Sequence, residues 1–139
     1  MVEASRNADQ HFRTRTDHAS ETAEDYAEAI DDLSAQERKG RAVDLARHFG
    51  VSHVTVTKIV KRLQREGFVD TQPYAPVTLT TRGKQLAAKA RRRHQIVYRF
   101  LLAIGVDERT ATIDAEGIEH HVSPTTLKKF EEFTMKNFS

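Results

Sequence analysis

The sequence predicts a mainly α-helical fold. Only six glycines and three prolines occur in 139 residues, whereas alanine, glutamate, lysine and arginine, which favour helices, are frequent. Apolar side chains recur at helical spacing along most of the chain, and one short segment after residue 67 alternates as a strand does. We therefore expect an N-terminal winged helix-turn-helix followed by a C-terminal helical domain.

The N-terminal region is expected to contain an arm and a first helix. Residues 1–20 are polar and show no apolar periodicity, so they are predicted to be a disordered arm. Residues 21–35 carry apolar side chains at helical spacing, among them Tyr26, Ile30 and Leu33. This helix opens the predicted winged helix-turn-helix domain, which is expected to span residues 21–80.

The helix-turn-helix is predicted from two helical patterns, residues 41–49 and 53–66, on either side of Gly50-Val51-Ser52. Glycine permits a left-handed backbone in the turn, Val51 is expected in the core, and Ser52 is expected to cap the second helix. Two helices joined by such a short turn are typical of the motif.

The segment after the motif is expected to form a wing and then a long helix. The alternating residues 68–72 and 77–79 predict a β-hairpin, which is the wing. The long helix is expected over about residues 81–104, capped by Thr80 or Thr81 and ended by Gly105.

Two shorter helices complete the predicted fold. They are expected over roughly residues 107–120 and 124–136, separated at Ser123-Pro124. Together with the apolar end of the long helix they are too small to form a free-standing core. A second copy of the chain is expected to complete that core, so residues 81–139 are predicted to be a long linking helix and a helical dimerisation domain.

Charge is distributed unevenly, although the net charge is only +2. From Arg41 to Arg99 the chain has 13 lysines and arginines against three acidic residues. Residues 1–40 and 107–139 are both acidic. A basic middle region predicts a polyanionic partner, and the alternative is a solvated charged surface. The coincidence with a helix-turn-helix pattern favours double-stranded DNA.

Several classes of site are excluded by composition. The chain has no cysteine, which excludes disulfides, zinc ribbons and thiolate metal sites. No apolar run approaches the roughly 18 residues of a membrane span, and the N-terminus lacks the apolar core of a signal peptide. We therefore expect a cytoplasmic protein that contacts no membrane, and no small organic ligand is indicated.

The second helix of the motif is expected to enter the major groove with its N-terminal residues nearest the base edges. The side chains expected to contact base edges or thymine methyl groups are Ser52, His53, Thr55 and Val56. The side chains expected to bind phosphate are Lys58, Lys61, Arg62, Arg41 and Arg47, and Tyr74 at the wing tip is expected to contact the backbone or minor groove. The alternative is a winged helix that binds protein.

A candidate metal site lies in the segment from Asp114 to His121. On a helix, Glu116, Glu119 and His120 occupy positions i, i+3 and i+4 and therefore share one face. Oxygen and nitrogen donors of this kind suit divalent manganese, iron or zinc. His121 points about 100° away from that face, so it is interpreted as a packing residue or as a neighbour of the ligands.

Three further residues are candidate ligands. Asp25 and Glu28 lie three residues apart on the first helix, and His94 lies in the long helix. Taken singly, they are explained as solvated charges and a surface histidine. Together with the face around Glu116 they would give six donors, enough for one or two ions with bridging carboxylates. Four crowded carboxylates would also repel each other without a cation.

The same residues carry a resemblance to a known family. Over residues 22–137 the chain resembles the diphtheria-toxin-repressor family, and most closely the manganese transport regulators within it. The segments that carry the resemblance are Asp25 to Glu28, Gly50 to Lys58, Arg93-His94, Gly105 to Asp107, and Asp114 to Ser123. The last of these segments is the most specific.

The resemblance implies a homodimer that binds metal, then binds a DNA operator and represses metal-uptake genes. By the family pattern the metal ligands are Asp25, Glu28, His94, Glu116, Glu119 and His120. The iron-responsive branch typically has methionine where this chain has Asp25 and cysteine where it has Glu116, which favours manganese, with one or two Mn²⁺ per subunit.

Two alternatives stay open from the sequence, and a third is disfavoured. An iron- or zinc-responsive regulator of the same architecture is possible, because the general affinity order favours zinc over manganese. A metal-independent winged-helix regulator would bind its operator equally well with chelator or with manganese. A di-metal carboxylate enzyme normally carries paired Glu-x-x-His motifs, and this sequence contains none, so the chain is predicted not to be an enzyme.

Overall fold

The computed structural model describes residues 2–35 and 40–138, with the side chains described from residue 19 to residue 137 except for 36–39. The described residues form six helices and one two-stranded sheet, so the predicted mainly α class is confirmed. The elements are α1 (Val2–Ala35), α2 (Ala42–Phe49), α3 (His53–Arg65), β1 (Val69–Asp70), β2 (Thr78–Leu79), α4 (Thr81–Ala103), α5 (Glu108–Glu119) and α6 (Pro124–Phe138). They divide into two compact units, residues 22–88 and residues 1–21 with 89–139.

The first helix is longer than the sequence analysis expected. A disordered arm was predicted over residues 1–20, but α1 continues as a helix to Val2. No glycine or proline interrupts residues 2–35. Apolar periodicity indicates that one face of a helix is buried, so its lack in residues 1–20 does not exclude a helix whose faces are all polar.

The unit of residues 22–88 is a winged helix-turn-helix around one apolar core. Ile30 of α1, Leu45 of α2 and Val56 of α3 are fully buried at its centre. Tyr26 and Phe49 stack with their ring centroids 4.3 Å apart. These contacts pack α1 against both helices of the motif.

The turn between α2 and α3 follows the prediction in two of its three residues. Gly50 adopts the left-handed conformation, with φ of 65°, and ends α2. Ser52 caps α3, because its Oγ accepts a hydrogen bond from the Thr55 backbone N–H at 3.1 Å. The expectation that Val51 fills the core was wrong: its side chain is 38% exposed. The left-handed glycine redirects the chain outward before the core is reached.

The wing is a short antiparallel hairpin in which Val69 pairs with Leu79 and Asp70 pairs with Thr78. Its base is joined closely to the start of α4. The carbonyl of Phe68 accepts a hydrogen bond from the Thr80 backbone N–H at 3.0 Å. Thr80 Oγ1 in turn accepts from the Gly83 backbone N–H at 3.1 Å, which caps α4.

The unit that contains residues 89–139 is built on α4, α5 and α6. Its buried apolar residues include Val97 and Leu101 of α4, Ala111 and Ala115 of α5, and Leu127 of α6. The rings of Phe100 and Phe130 stack with centroids 4.0 Å apart.

Both short helices of this unit begin at side-chain caps. The Asp107 carboxylate accepts a hydrogen bond from the Thr110 backbone N–H at 3.0 Å. Hydrogen bonds from the backbone and the side chain of Thr110 lower the pKa of Asp107. Ser123 Oγ accepts from the Thr126 backbone N–H at 3.2 Å, and Pro124 occupies the first helical position, as predicted. Among the described residues no helix combines the length and hydropathy needed to cross a membrane.

Gly83 is expected to be essential for the junction between wing and α4. A Cβ atom added there would overlap the carbonyl oxygen of Phe68, a backbone atom that is already hydrogen-bonded. We expect Gly83→Ala to lower the free energy of unfolding by about 1–3 kcal/mol, as overpacking does. Gly40→Ala is the matched control, because Gly40 is also buried but its added Cβ would make only ordinary contacts, the nearest at 3.5 Å. Urea unfolding at equal protein concentration would test this, and equal losses in the two variants would contradict it.

Candidate metal centre and nucleic-acid interface

The end of α5 brings three candidate metal ligands together. Glu116 and Glu119 lie in the last turn of α5, and His120 is its C-cap residue. One potential ligand atom from each of these three side chains lies within 4.8 Å of the other two. The helical spacing therefore produces the predicted convergence of two carboxylates and one imidazole.

His94 of α4 adds a fourth donor. Its Nδ1 lies 3.4 Å from Oε2 of Glu119 and 3.8 Å from Oε1 of Glu116. The other oxygen of Glu119, Oε1, lies 3.4 Å from Nε2 of His120. We call the four side chains His94, Glu116, Glu119 and His120 the α4–α5 cluster.

Burial differs sharply within the α4–α5 cluster. The Glu119 side chain is only 2% exposed and His120 is similarly buried, whereas Glu116 is largely exposed. A buried carboxylate is costly unless charge or hydrogen bonds compensate it. Two imidazoles, those of His94 and His120, lie beside the Glu119 carboxylate. A divalent cation bound between them would stabilise the charge of that carboxylate.

The donor geometry fits a divalent ion. Metal–ligand bonds of about 2.0–2.2 Å place two ligands of one ion at most about 4.4 Å apart. The imidazole–carboxylate distances of 3.4–3.8 Å within the cluster lie inside that limit. The donor set has two carboxylates and two imidazoles and no sulfur, which suits manganese, iron or zinc.

Asp25 and Glu28 lie on α1, in the unit of residues 22–88. They are three residues apart, both are half-buried, and Tyr26 and Ala27 between them are buried in the core. The helical spacing predicted from the sequence is therefore present, and both carboxylates border the apolar stripe of α1.

The outer face of α3 is basic and accessible. His53, Lys58 and Lys61 are exposed, and so are Arg41, the N-cap residue of α2, and Arg47 within that helix. Ser52 is exposed too, although its hydroxyl is engaged in capping and lies 2.9 Å from Thr55 Oγ1. These residues occupy the surface that the sequence analysis assigned to DNA.

Two predicted DNA-binding side chains are less available. Val56 is 0% exposed, so the expectation that it contacts a base edge was wrong. It belongs to an inward stripe with Val60 and Leu63, at positions i, i+4 and i+7 of the helix. Arg62 is half-buried, and its Nε lies 3.5 Å from Oε1 of Glu66, so part of its guanidinium is already engaged in an ion pair.

Val54 is a candidate contact that the sequence analysis missed. It is 64% exposed in the first turn of α3, which is unusual for an aliphatic side chain. Helical spacing places it on the same face as Lys58 and Lys61, at i, i+4 and i+7. This helical spacing can be read from the sequence. It indicates that Val54, rather than Val56, is the apolar side chain that faces outward.

Tyr74 lies in the loop of the wing and is fully exposed. It is the one non-glycine residue of the described chain with positive φ, 62°. The ring of Tyr74 is therefore accessible to a binding partner.

Comparison with known proteins identifies the family. A model of the "iron dependent repressor, N-terminal DNA binding domain" matches residues 18–77, and one of the "metal binding and dimerisation domain" of the same repressors matches residues 80–137. A transcriptional regulator MntR of Escherichia coli O157:H7 is 46% identical over 125 residues, which cover 90% of this chain and 81% of the relative. The HTH-type transcriptional regulator MntR of Bacillus subtilis is 37% identical over 106 residues, covering 76% of this chain and 75% of the relative.

Solved structures agree with the sequence relatives. A manganese-dependent transcriptional repressor in complex with manganese is 31% identical and aligns with a TM-score of 0.69 over 81% of this chain. The manganese regulator SloR is 29% identical, with a TM-score of 0.68 over 80% of this chain. This chain spans about half the length of those two proteins, 52% in each case. The match of both domain models to adjoining parts of the chain shows that it belongs to the iron-dependent repressor family.

Proposed function

We propose that this chain is a manganese-dependent DNA-binding transcriptional repressor that acts as a homodimer in the cytoplasm and represses manganese-uptake genes. The observation that carries the proposal is the α4–α5 cluster, a buried carboxylate flanked by two imidazoles, in a chain whose α3 presents an exposed basic face. The relatives named as manganese regulators support the choice of metal.

The proposed ligands are the four residues of the α4–α5 cluster together with Asp25 and Glu28 of α1. The set would contain four carboxylates and two imidazoles, and oxygen-rich sets of this kind suit Mn²⁺. Such a set can bind one or two ions per subunit, because carboxylates can bridge. Fe²⁺ and Zn²⁺ share most of these donor preferences, so they are proposed as weaker or competing ions.

Metal binding and DNA binding would be thermodynamically linked. His94 belongs to α4, whereas the two glutamates and His120 belong to α5, so an ion bound by these residues holds the two helices together. An ion raises DNA affinity only to the extent that it binds the DNA-competent arrangement more tightly than the alternative. In a dimer, fixing the separation and direction of two α3 helices matches them to two half-sites.

The exposed face of α3 would divide its contacts between phosphate and base. Lys58 and Lys61 carry charge on flexible side chains and suit phosphate, which positions the helix on the duplex. His53 and Val54 lie in the first turn, nearest the base edges, and an aliphatic group there suits the thymine methyl.

Glu116→Gln is expected to weaken Mn²⁺ binding by at least about tenfold, since loss of a residue that supports a metal site typically costs 10–100-fold. Its side chain is exposed, so the variant should fold. Free Mn²⁺ is measured by electron paramagnetic resonance during titration of chelator-treated protein. Glu108→Gln, an exposed acidic residue in the first turn of the same helix, is the control and should bind as the wild type does. Equal uptake by all three proteins would contradict the proposal.

Lys61→Ala is expected to weaken binding to every duplex by a similar factor. Removal of one phosphate contact should also reduce the slope of log K against log salt concentration by about one. Fluorescence anisotropy with a duplex selected by the Mn²⁺-loaded protein and with an unrelated duplex measures both effects. Lys136→Ala, exposed on α6, is the control. A loss confined to the selected duplex would assign Lys61 to base recognition instead.

Val54→Ala is expected to change sequence preference rather than salt dependence. If Val54 contacts a thymine methyl, the variant should lose about 1 kcal/mol of discrimination at one base pair. Binding is compared across duplexes substituted singly at each position of the selected site. Val43→Ala, also exposed but on α2, is the control. An unchanged preference at every position would show that Val54 does not contact a base.

A further inference from the structure

An open groove lies between α4 and α6. Every residue that lines it belongs to the unit formed by residues 1–21 and 89–139. Its volume is about 420 Å³. We call this space, bounded by Lys89 and Ile96 on α4 and by Pro124 and Glu131 on α6, the α4–α6 groove.

The floor of the α4–α6 groove is apolar. Ile96 of α4, Leu127 of α6 and Val122, which lies before α6, all line it. Leu127 is buried, whereas Ile96 and Val122 are half-buried and pack against the same apolar cluster. The floor is therefore the outer edge of the core of this unit. An apolar group that covered it would remove apolar surface from water, which is favourable.

The rim of the α4–α6 groove is cationic. Lys89, Arg92 and Arg93 follow one another at i, i+3 and i+4, so they share one face of α4. Lys128 lines the groove from α6. Glu131 is the one acidic residue in this described lining, and its Oε2 lies 3.5 Å from an Nη atom of Arg92. Four cationic side chains thus accompany one carboxylate.

An apolar floor beside a cationic rim suits an anion that carries an apolar body, and the size of the groove favours a small molecule. The groove follows α4 from Lys89 to Ile96, a rise of about 10 Å. An average helix of about 11 residues is about 17 Å long, and small-molecule sites occupy about 300–1,000 Å³. We propose that the α4–α6 groove binds a small amphiphilic anion, with a carboxylate, phosphate or sulfonate group on an aliphatic or aromatic body.

The side chains of the groove would divide the work of binding. Arg92 and Lys128 are exposed on opposite sides of it and would hold the anionic group. The Arg92 side chain is 74% exposed, so exchanging the Glu131 carboxylate for that of a ligand costs little. The apolar body would lie on Ile96 and Leu127. The sequence did not indicate such a ligand, because α4 and α6 are far apart along the chain.

The first test uses 1-anilinonaphthalene-8-sulfonate with the full chain. This anion becomes fluorescent when it binds apolar surface, and N-phenyl-1-naphthylamine is a matched neutral probe that lacks the sulfonate. We expect saturable binding of the sulfonate and weaker binding of the neutral probe. Decanoate should displace the sulfonate. Inorganic phosphate at the same ionic strength should not displace it, because phosphate has no apolar body.

Variants of the rim locate the site. Arg92→Gln and Lys128→Gln should each weaken binding of the sulfonate by about two- to fivefold, as loss of one exposed charge pair does. Lys129→Gln is the control, because Lys129 is exposed beside Lys128 but does not line the groove. Glu131→Gln removes the acidic residue and should strengthen binding. Far-UV circular dichroism checks that each variant is folded.

The remaining outcomes would overturn the proposal. Equal sulfonate affinity in the wild type, Arg92→Gln and Lys128→Gln would place the probe elsewhere on the protein. A loss in Lys129→Gln as large as that in Lys128→Gln would reduce the effect to overall charge. Equal binding of the two probes would remove the role of the rim. The test involves neither metal nor DNA, so its outcome is independent of the proposed function.

Discussion

The buried carboxylate of Glu119 joins the helical core of the C-terminal unit to the proposed metal site. Ala111, Ala115 and Glu119 are the buried residues of α5, and their spacing of four places them in one stripe. The first two are packed with Val97 and Leu101 of α4 in a single apolar cluster. Glu119 continues this stripe and meets His94 from α4, so the same packing that aligns the helices also fixes the distance between two donors. Small side chains at positions 111 and 115 let α5 pack closely, and a cation bound at the proposed metal site would stabilise the carboxylate at the end of the stripe.

Helix α3 shows a similar division between core and surface. Val56, Val60 and Leu63 are buried and set the rotation of α3 about its axis. That rotation decides which residues can reach DNA, because a side chain that anchors the helix cannot also read a base. Ser52 and Gly50 fix where the helix starts, so its first turn presents His53 and Val54 outward. Stability and the proposed DNA contacts therefore depend on opposite faces of the same 13 residues.

Local chemistry explains which parts of the structure could be predicted from the sequence. The caps at Ser52 and Ser123 and the left-handed Gly50 depend on residues close together in the chain, so their patterns were sufficient. The convergence of Glu116, Glu119 and His120 also follows from helical spacing alone. The arm was predicted wrongly because missing apolar periodicity reports on burial and not on helix formation.

Contacts between distant parts of the chain could not be predicted in this way. The distance from His94 to Glu119 depends on how α4 packs against α5, and 25 residues of sequence separate them. Glu21 and His121 are a second example. Their proximity, 100 residues apart in sequence, is visible only in three dimensions.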